Sequence, residues 1–215
     1  MNPFTRSLPA LVESLFDDPF YQAISIDFSD DLAARKHVLG AYFEYSLGEA
    51  ERTGRCVVCA QPELGAAAWL LPRTPSVEAA ESAAKTTYLS ELFGARGNDN
   101  YHRMVRFMAP LAEAVVPGNA WYLSIVGVLP TAQGQGIGAR LLTPTLDEVQ
   151  NGGVSCYLET FSSRNPAFYE RMGFRHVATH REPTTNTDYR IMRRDASPPR
   201  ATTEVTQSKT KIVPE

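Results

Sequence analysis

The first fifty residues carry two stripes of apolar positions with helical spacing. The first stripe predicts an amphipathic helix that ends near residues 18–19, and its apolar positions are Leu8, Leu11, Val12, Leu15 and Phe16. The second stripe predicts a longer helix that Ser29 caps and that ends at Gly48. The chain therefore opens with helices that each have one face to bury.

The pattern then alternates between strands and helices. Residues 55–60 and 66–71 are short apolar runs separated by a turn of hairpin length, which predicts an antiparallel pair. Thr74 followed by Pro75 predicts the start of a helix that runs to Phe93. Residues 97–100 have the composition of a loop, and residues 101–116 predict a helix interrupted by Pro110.

The second half predicts a strand–helix–strand unit. A strand from residue 121 runs into a glycine-rich turn, which is followed by a helix at 136–151 and a strand at 154–160. A short helix at 166–172 and strands at 174–179 and 189–193 complete the pattern. Because a strand–helix–strand crossover makes the two strands parallel, the sheet is expected to be mixed.

Composition limits the classes of protein to which the chain can belong. Its 215 residues are 43% hydrophobic, which predicts a single domain over residues 1–194 and a polar, disordered tail at 195–215. The net charge of −3 is unlike that of a nucleic-acid binder. No apolar run is long enough to cross a membrane, and no secretory signal precedes the first helix, so a cytoplasmic protein is expected.

Cys56 and Cys59 form a C-x-x-C pair, a spacing found in zinc and redox sites. They lie in a predicted strand, where residues three apart point to opposite faces of the sheet. The thiols therefore cannot converge, and we interpret them as buried structural residues. No metal site is predicted.

The glycine-rich turn is the strongest chemical signal in the chain. Residues 133–139 place three glycines between a strand and a helix, where backbone N–H groups can surround a phosphate. Gly134, Gly136 and Ala139 also satisfy the dinucleotide-binding fingerprint, with Glu159 near its acidic position. The turn lies late in the chain for a dinucleotide fold. The spacing alone, however, does not decide between a dinucleotide and another ligand that carries a phosphate.

Two separate segments resemble the GCN5-related N-acetyltransferase (GNAT) superfamily. Residues 128–138 are similar to its acetyl-CoA signature, and residues 165–174 are similar to its later Asn…Tyr…Gly-Phe motif. Within the superfamily, residues 121–138, 157–160 and 164–174 are most similar to puromycin N-acetyltransferases. The resemblance implies a GNAT-like α/β (α+β) fold, with a mixed, mostly antiparallel twisted sheet flanked by helices.

The resemblance also implies that acetyl-CoA is the cosubstrate, held by an acetyl-CoA-binding core at residues 121–176. The residues implied to bind it are Val126, Gly127, Val128, Gln133, Gly134, Gln135, Gly136, Ile137, Gly138, Ala139, Asn165 and Tyr169. The turn would hold the pyrophosphate, with Gln133 completing the cradle. Val126 and Val128 would pair with the pantetheine arm, and Gly127 is expected to mark a bulge that opens this slot.

Acetyl transfer requires a proton donor for the leaving thiolate and a proton acceptor for the amine. Tyr169 is the expected donor, with a core aromatic as the alternative interpretation. Glu159 is the expected acceptor, with an ion pair to Arg164 as the alternative. Tyr21, Tyr42, Tyr45 and Trp69 are core residues or, alternatively, walls of an acceptor pocket.

The sequence thus predicts an acetyl-CoA-dependent N-acetyltransferase that acts by direct transfer. The expected acceptor is the amine of a small molecule such as an antibiotic, an aminonucleoside, an amino acid or a related metabolite. No nucleic-acid or membrane partner is expected, and the protein is expected to be a monomer or homodimer. The alternatives are a catalytically silent acyl-CoA-binding module and a dinucleotide-dependent oxidoreductase.

Overall fold

The structure is a computed structural model that describes residues 3–196 and 210–213. The helices are α1 (Leu8–Leu15), α2 (Pro19–Ile24), α3 (Leu32–Thr53), α4 (Pro75–Leu92), α5 (Ala95–Glu113), α6 (Ile137–Asn151) and α7 (Pro166–Arg171). The strands are β1 (Gly54–Cys59), β2 (Gly65–Leu70), β3 (Trp121–Val128), β4 (Cys156–Thr160), β5 (Arg175–Glu182), β6 (Thr187–Arg194) and β7 (Thr210–Val213).

The strands form one sheet in the order β5-β6-β4-β3-β2-β1-β7. Strands β1 and β2 form the antiparallel hairpin that the sequence predicts, and β3 lies parallel to β4 across the α6 crossover. Four of the six strand pairs are antiparallel, which confirms the mixed, mostly antiparallel sheet. This order differs from the doubly wound parallel sheet that a dinucleotide fold requires.

Helices cover both faces of the sheet. Leu11 of α1 and Leu39 of α3 belong to the core on one face, whereas Leu142 of α6 belongs to the core on the other. The alternating side chains of β1 show the division, because Cys56 packs in the first core and Cys59 in the second. The two thiols are buried and lie on opposite faces of the sheet, so they do not converge, as the strand pattern predicts.

Three helix boundaries differ from the sequence prediction. Helix α3 is capped by Asp31, whose carboxylate accepts the backbone N–H groups of Ala33 and Ala34, and the predicted Ser29 cap is wrong. The helix also continues past Gly48 to Thr53, because its interior packing outweighs the helix-breaking tendency of one glycine. The predicted loop at residues 97–100 is likewise wrong, since it forms the first turns of α5.

The predicted disordered tail falls largely on residues 197–209 and 214–215, which lie outside the described residues. Residues 210–213 differ from that prediction, because they form β7 and pair in parallel with β1. Val213 is buried in the same core as Cys59. The apolar pair at 212–213 is thus a strand signal that the polar composition around it conceals.

In the described part of the chain, none of the helices combines the length and the apolar character needed to cross a membrane.

Candidate active site

The site opens where two parallel strands separate. Strands β3 and β4 pair only from Trp121 to Leu123, opposite Cys156 to Leu158, and no pairing continues beyond these residues. The remaining part of β3 stays paired with β2 on its other side. The separation leaves a gap in the middle of the sheet, with the last residues of β3 on one side and Glu159 and Thr160 on the other.

The glycine-rich turn lies at one end of this gap, before α6. Gly134 and Gly136 both adopt the left-handed backbone conformation, with φ of 80° and 79°. This conformation is accessible to glycine at little cost and strained for other residues. A Cβ built on Gly134 would meet no atom within 4 Å, so the position faces open space. The first N–H groups of α6 have no partners within the helix and are available to an anion.

A cleft of about 1000 Å³ follows the turn and runs toward α7. All of the residues predicted to bind the acetyl donor line this cleft except Gln135, which is exposed on the outer side of the turn. Arg164 and Arg171 also line the cleft. Its walls therefore combine backbone donors with two positive charges, a set suited to a phosphorylated ligand.

Gly127 is not the site of the β-bulge that the sequence predicts. It pairs regularly with Ala66, and the register shift between β2 and β3 falls at Ser124, three residues earlier. A side chain at Gly127 would collide with α1, because a Cβ there would lie 2.8 Å from Cδ2 of Leu11. The glycine thus serves close packing of α1 on the strand.

Gln133 has a specific partner in the structure. Its side-chain amide donates a hydrogen bond of 3.0 Å to the backbone carbonyl of Val128. This bond ties the start of the turn to the end of β3. The contact gives Gln133 a positioning role for the turn, and the residue also lines the cleft.

A smaller cavity of about 120 Å³ lies on the other side of the same gap. Six residues line both spaces, so the cavity and the cleft meet at them: Leu15, Asp18, Val126, Phe161, Asn165 and Tyr169. Glu159 lines only the smaller cavity. The arrangement joins a long cleft to a compact chamber, and Tyr169 and Asn165 lie at the junction.

Glu159 is held in an apolar setting. Its Oε1 is buried and has no hydrogen-bond partner among the described residues. Burial raises its pKa from 4.5 to about 7, and the neighbouring hydroxyl of Tyr122 offsets only part of this rise. No ion pair to Arg164 forms within the described residues, so the alternative interpretation of Glu159 is not supported.

Tyr169 reaches the junction from α7. The residue is 6% exposed, and no side-chain hydrogen bond to its hydroxyl is found in the described part of the chain. Burial raises its pKa, and the negative charge of Asp18 raises it further, so the phenol keeps its proton at neutral pH. Asn165 begins the same helix, and its carbonyl accepts the backbone N–H of Tyr169.

Asp18 is a site residue that the sequence prediction missed. It follows α1 and caps α2, where its Oδ1 accepts the backbone N–H of Phe20 at 2.9 Å. Burial raises its pKa to about 6, although hydrogen bonds from the backbone of Phe20 and Tyr21 lower it. The sequence signal, an Asp before Pro19, indicates a helix cap but does not indicate a cavity.

Of the four aromatic residues that the sequence offers for an acceptor pocket, two line the smaller cavity and two do not. Tyr21 and Tyr42 line the smaller cavity. Trp69 is fully buried in the core beneath α6, and Tyr45 stacks on Tyr88 at 4.5 Å. The pocket interpretation thus applies to the first two, and the other two serve packing.

Comparison with known proteins identifies the same region. Residues 93–176 match the family described as "Acetyltransferase (GNAT) domain", and this range spans α5, β3, the glycine-rich turn, α6, β4 and α7. The match therefore contains the glycine-rich turn, Glu159 and Tyr169, whereas the cleft-lining residues between 14 and 19 lie outside it.

Solved structures extend the similarity to most of the chain. A Corynebacterium glutamicum protein described as histone acetyltransferase HPA2 and related acetyltransferase is 19% identical, with a TM-score of 0.54 over 92% of this chain and 93% of that one. The polyamine N-acetyltransferase of Drosophila melanogaster is 14% identical, with a TM-score of 0.54 over 88% and 93%. An agmatine N-acetyltransferase is 14% identical, with a TM-score of 0.53 over 88% and 93%. The chain shares its fold with these proteins, and part of it, residues 93–176, matches the GNAT acetyltransferase domain.

Proposed function

We propose that the protein is an acetyl-CoA-dependent N-acetyltransferase that transfers the acetyl group directly to the amine of a small molecule. The observation that carries the proposal is the junction of the two spaces at Tyr169. A long cleft suited to a phosphorylated donor meets a compact chamber that contains a carboxylate. Direct transfer requires this arrangement, because both substrates must reach one point at the same time.

The cleft has the features that acetyl-CoA requires. Gly134 faces open space where the Cβ of another residue would stand, and the turn precedes a fifteen-residue helix whose positive end favours phosphate. Arg164 and Arg171 supply positive charge. The part of β3 that has separated from β4 offers backbone groups to the pantetheine amides, as an added strand would.

The chemistry then uses two groups of opposite function. The amine arrives as an ammonium ion, and Glu159 accepts one proton from it, which the raised pKa of this carboxyl favours. The neutral nitrogen attacks the thioester carbonyl, and a backbone N–H near Val126 stabilises the tetrahedral oxyanion. When the C–S bond breaks, Tyr169 protonates the thiolate. The second proton that the nitrogen loses restores Tyr169, so one proton is released to solvent per turnover.

The candidate acceptors are antibiotics, aminonucleosides, amino acids and related metabolites. The resemblance to puromycin N-acetyltransferases keeps aminonucleosides among them. The agmatine and polyamine enzymes named above also act on small amines, which is consistent with such an acceptor.

The first experiment measures thiol release from acetyl-CoA with a panel of amines that includes puromycin, amino acids, polyamines and histone-tail peptides. Tyr169→Phe should lower kcat by about 10²-fold without changing acetyl-CoA affinity. Tyr189→Phe is the matched control, because Tyr189 is a buried tyrosine whose hydroxyl has no hydrogen-bond partner among the described residues, and it lines neither space. Acetyl-CoA binding without thiol release from any amine would instead favour a silent acyl-CoA-binding module.

A further inference from the structure

Asp18 caps a helix and also lines the junction of the two spaces. Its Oδ1 is committed to the cap of α2 through Phe20, which fixes the direction of the side chain. The backbone of Tyr21 also donates a hydrogen bond to this carboxylate, and the side chain lines both the cleft and the cavity. The carboxylate thus caps the helix with backbone donors only, no cationic side chain pairs with it among the described residues, and it faces the junction.

The charges around the smaller cavity have one sign. Asp18 and Glu159 are its two carboxylates, and none of the described residues that line it carries a positive charge. A buried carboxylate without a cationic partner is unfavourable, and an ammonium group supplied by a ligand relieves this cost. Neither carboxylate therefore has a cationic partner among the described residues that line the cavity, and the ammonium group of a ligand would supply one.

The remaining walls fit the same ligand. Six aromatic side chains line the cavity, namely Phe20, Tyr21, Tyr42, Tyr122, Phe161 and Tyr169. Aromatic faces attract cations and also accept apolar carbon chains. The cavity of about 120 Å³ is well below the roughly 300–1,000 Å³ typical of sites for drug-sized ligands. Its shape and lining favour a compact amine.

Resting on the proposed function, we infer that Asp18 is a specificity-determining residue that binds the ammonium group of the acceptor at the junction and rejects acceptors that carry a carboxylate. The acceptor class is then a compact amine without an acidic group. This narrows the candidate acceptors, because it removes free amino acids and disfavours large aminonucleosides.

The position of Asp18 explains why acceptors with a carboxylate next to the amine should be rejected strongly. The acetyl group must meet the amine near Val126 and Tyr169, and Asp18 lines the same junction. In an α-amino acid the carboxylate is attached to the carbon next to the nitrogen. When the nitrogen is placed for transfer, that carboxylate is brought toward Asp18, and like charges in a desolvated site repel.

The test compares amines that differ only by a carboxylate. Phenethylamine is paired with phenylalanine, and 1,5-diaminopentane is paired with lysine, with thiol release from acetyl-CoA as the readout. The wild-type protein should prefer each amine over its amino acid by about 100-fold or more in kcat/KM. Asp18→Asn should raise KM for the amine about tenfold or more and reduce this preference by a similar factor, with KM for acetyl-CoA unchanged.

Asparagine is chosen because it caps a helix about as well as aspartate does, so the substitution removes the charge and keeps the cap. Asp18→Ser is a second variant that retains a capping oxygen. Asp31→Asn is the matched control, because Asp31 caps α3 in the same way, is exposed and lines neither space. This control should leave KM for the amine and KM for acetyl-CoA unchanged.

The outcomes separate this inference from the proposed function. Equal use of both members of each pair by the wild-type protein would overturn the role of Asp18 and leave N-acetyl transfer in place. A rise in KM for acetyl-CoA, with KM for the amine unchanged, would reassign Asp18 to the donor cleft. If no amine releases thiol, the proposed function fails, and calorimetric binding of the same pairs still tests Asp18. Tighter binding of the amines than of the matching amino acids supports the role of Asp18. Equal binding of the two members of each pair contradicts it.

Discussion

The two halves of the active site are built in different ways. The donor half is built mainly from one continuous stretch, from β3 through the glycine-rich turn into α6, with α7 beside it, and its working groups are mostly backbone N–H groups. The acceptor half is assembled from segments far apart in the chain, since Asp18 follows α1, Tyr42 lies on α3 and Glu159 lies on β4. The first half depends on backbone conformation, whereas the second depends on side-chain charge in a buried space. The two halves should therefore respond to different perturbations.

The largest expected effect is on the acceptor half. Glu159→Gln removes the proton acceptor and keeps the shape of the side chain, so kcat should fall by about 10²–10³-fold, the range typical of a lost general base. Acetyl-CoA affinity, measured by calorimetry, should remain unchanged because Glu159 lines only the smaller cavity. A loss of acetyl-CoA affinity together with the loss of kcat would contradict the assignment of Glu159 to the acceptor half.

The next effect concerns pH and also belongs to the acceptor half. Glu159 must be ionised to accept a proton, and its pKa of about 7 places the loss of activity just below neutrality. We expect kcat/KM to fall about tenfold per pH unit below pH 7, and more steeply below pH 6, where Asp18 also becomes protonated. Tyr122 and Tyr169, which line the same cavity, have raised pKa values and stay neutral over this range.

Glu159→Gln provides the control for this profile. The variant should lose the step near pH 7 and keep the one near pH 6. A step near pH 7 that persists in the variant would assign it to another group and remove Glu159 as the base.

The third effect isolates the donor half. Gly134→Ala adds a Cβ to a left-handed position that faces the cleft, and KM for acetyl-CoA should rise about tenfold because the added group stands where the phosphate is expected and the backbone is strained. KM for the amine should not change.

Gly153→Ala is the matched control for that substitution. Gly153 also has a positive φ, of 61°, and a Cβ there would meet no atom within 4 Å, but the residue lines neither space. Both variants should lose a similar free energy of unfolding, about 1 kcal/mol, and only Gly134→Ala should weaken acetyl-CoA binding. Equal kinetics in the two variants would show that the turn does not hold the donor.

The same contrast explains what could be predicted from the sequence. The glycine-rich turn and the order of its flanking elements are local patterns, and Gly134 and Gly136 take the left-handed conformations that such a turn requires. The bulge predicted at Gly127 is wrong, and the packing role of this glycine depends on Leu11 of α1, which is distant in the chain. Local spacing predicts the conformation of a glycine but not which helix lies above it.

The acceptor half shows more clearly what local sequence patterns do not predict. Asp18 reads in the sequence as a helix cap, and only the fold brings it to the same cavity as Glu159. Tyr21 and Tyr45 are equally aromatic in the sequence, yet one lines the cavity and the other stacks on Tyr88. Charge complementarity in a pocket is a property of the tertiary structure, so residue type alone does not reveal it.

The last effect is on stability and not on activity, and it distinguishes a group retained for chemistry from one retained for packing. Because the folded pKa of Glu159, about 7, lies above its ordinary value of 4.5, the folded state binds this proton more tightly than the unfolded state does. Its contribution to stability is therefore fully present below pH 4.5 and is lost as the pH rises through 7. Glu159→Gln should raise the free energy of unfolding by about 3 kcal/mol at pH 8 and by less than about 1 kcal/mol at pH 5, as measured by thermal unfolding at both values. A variant that is destabilised equally at both pH values would instead indicate a packing role for Glu159.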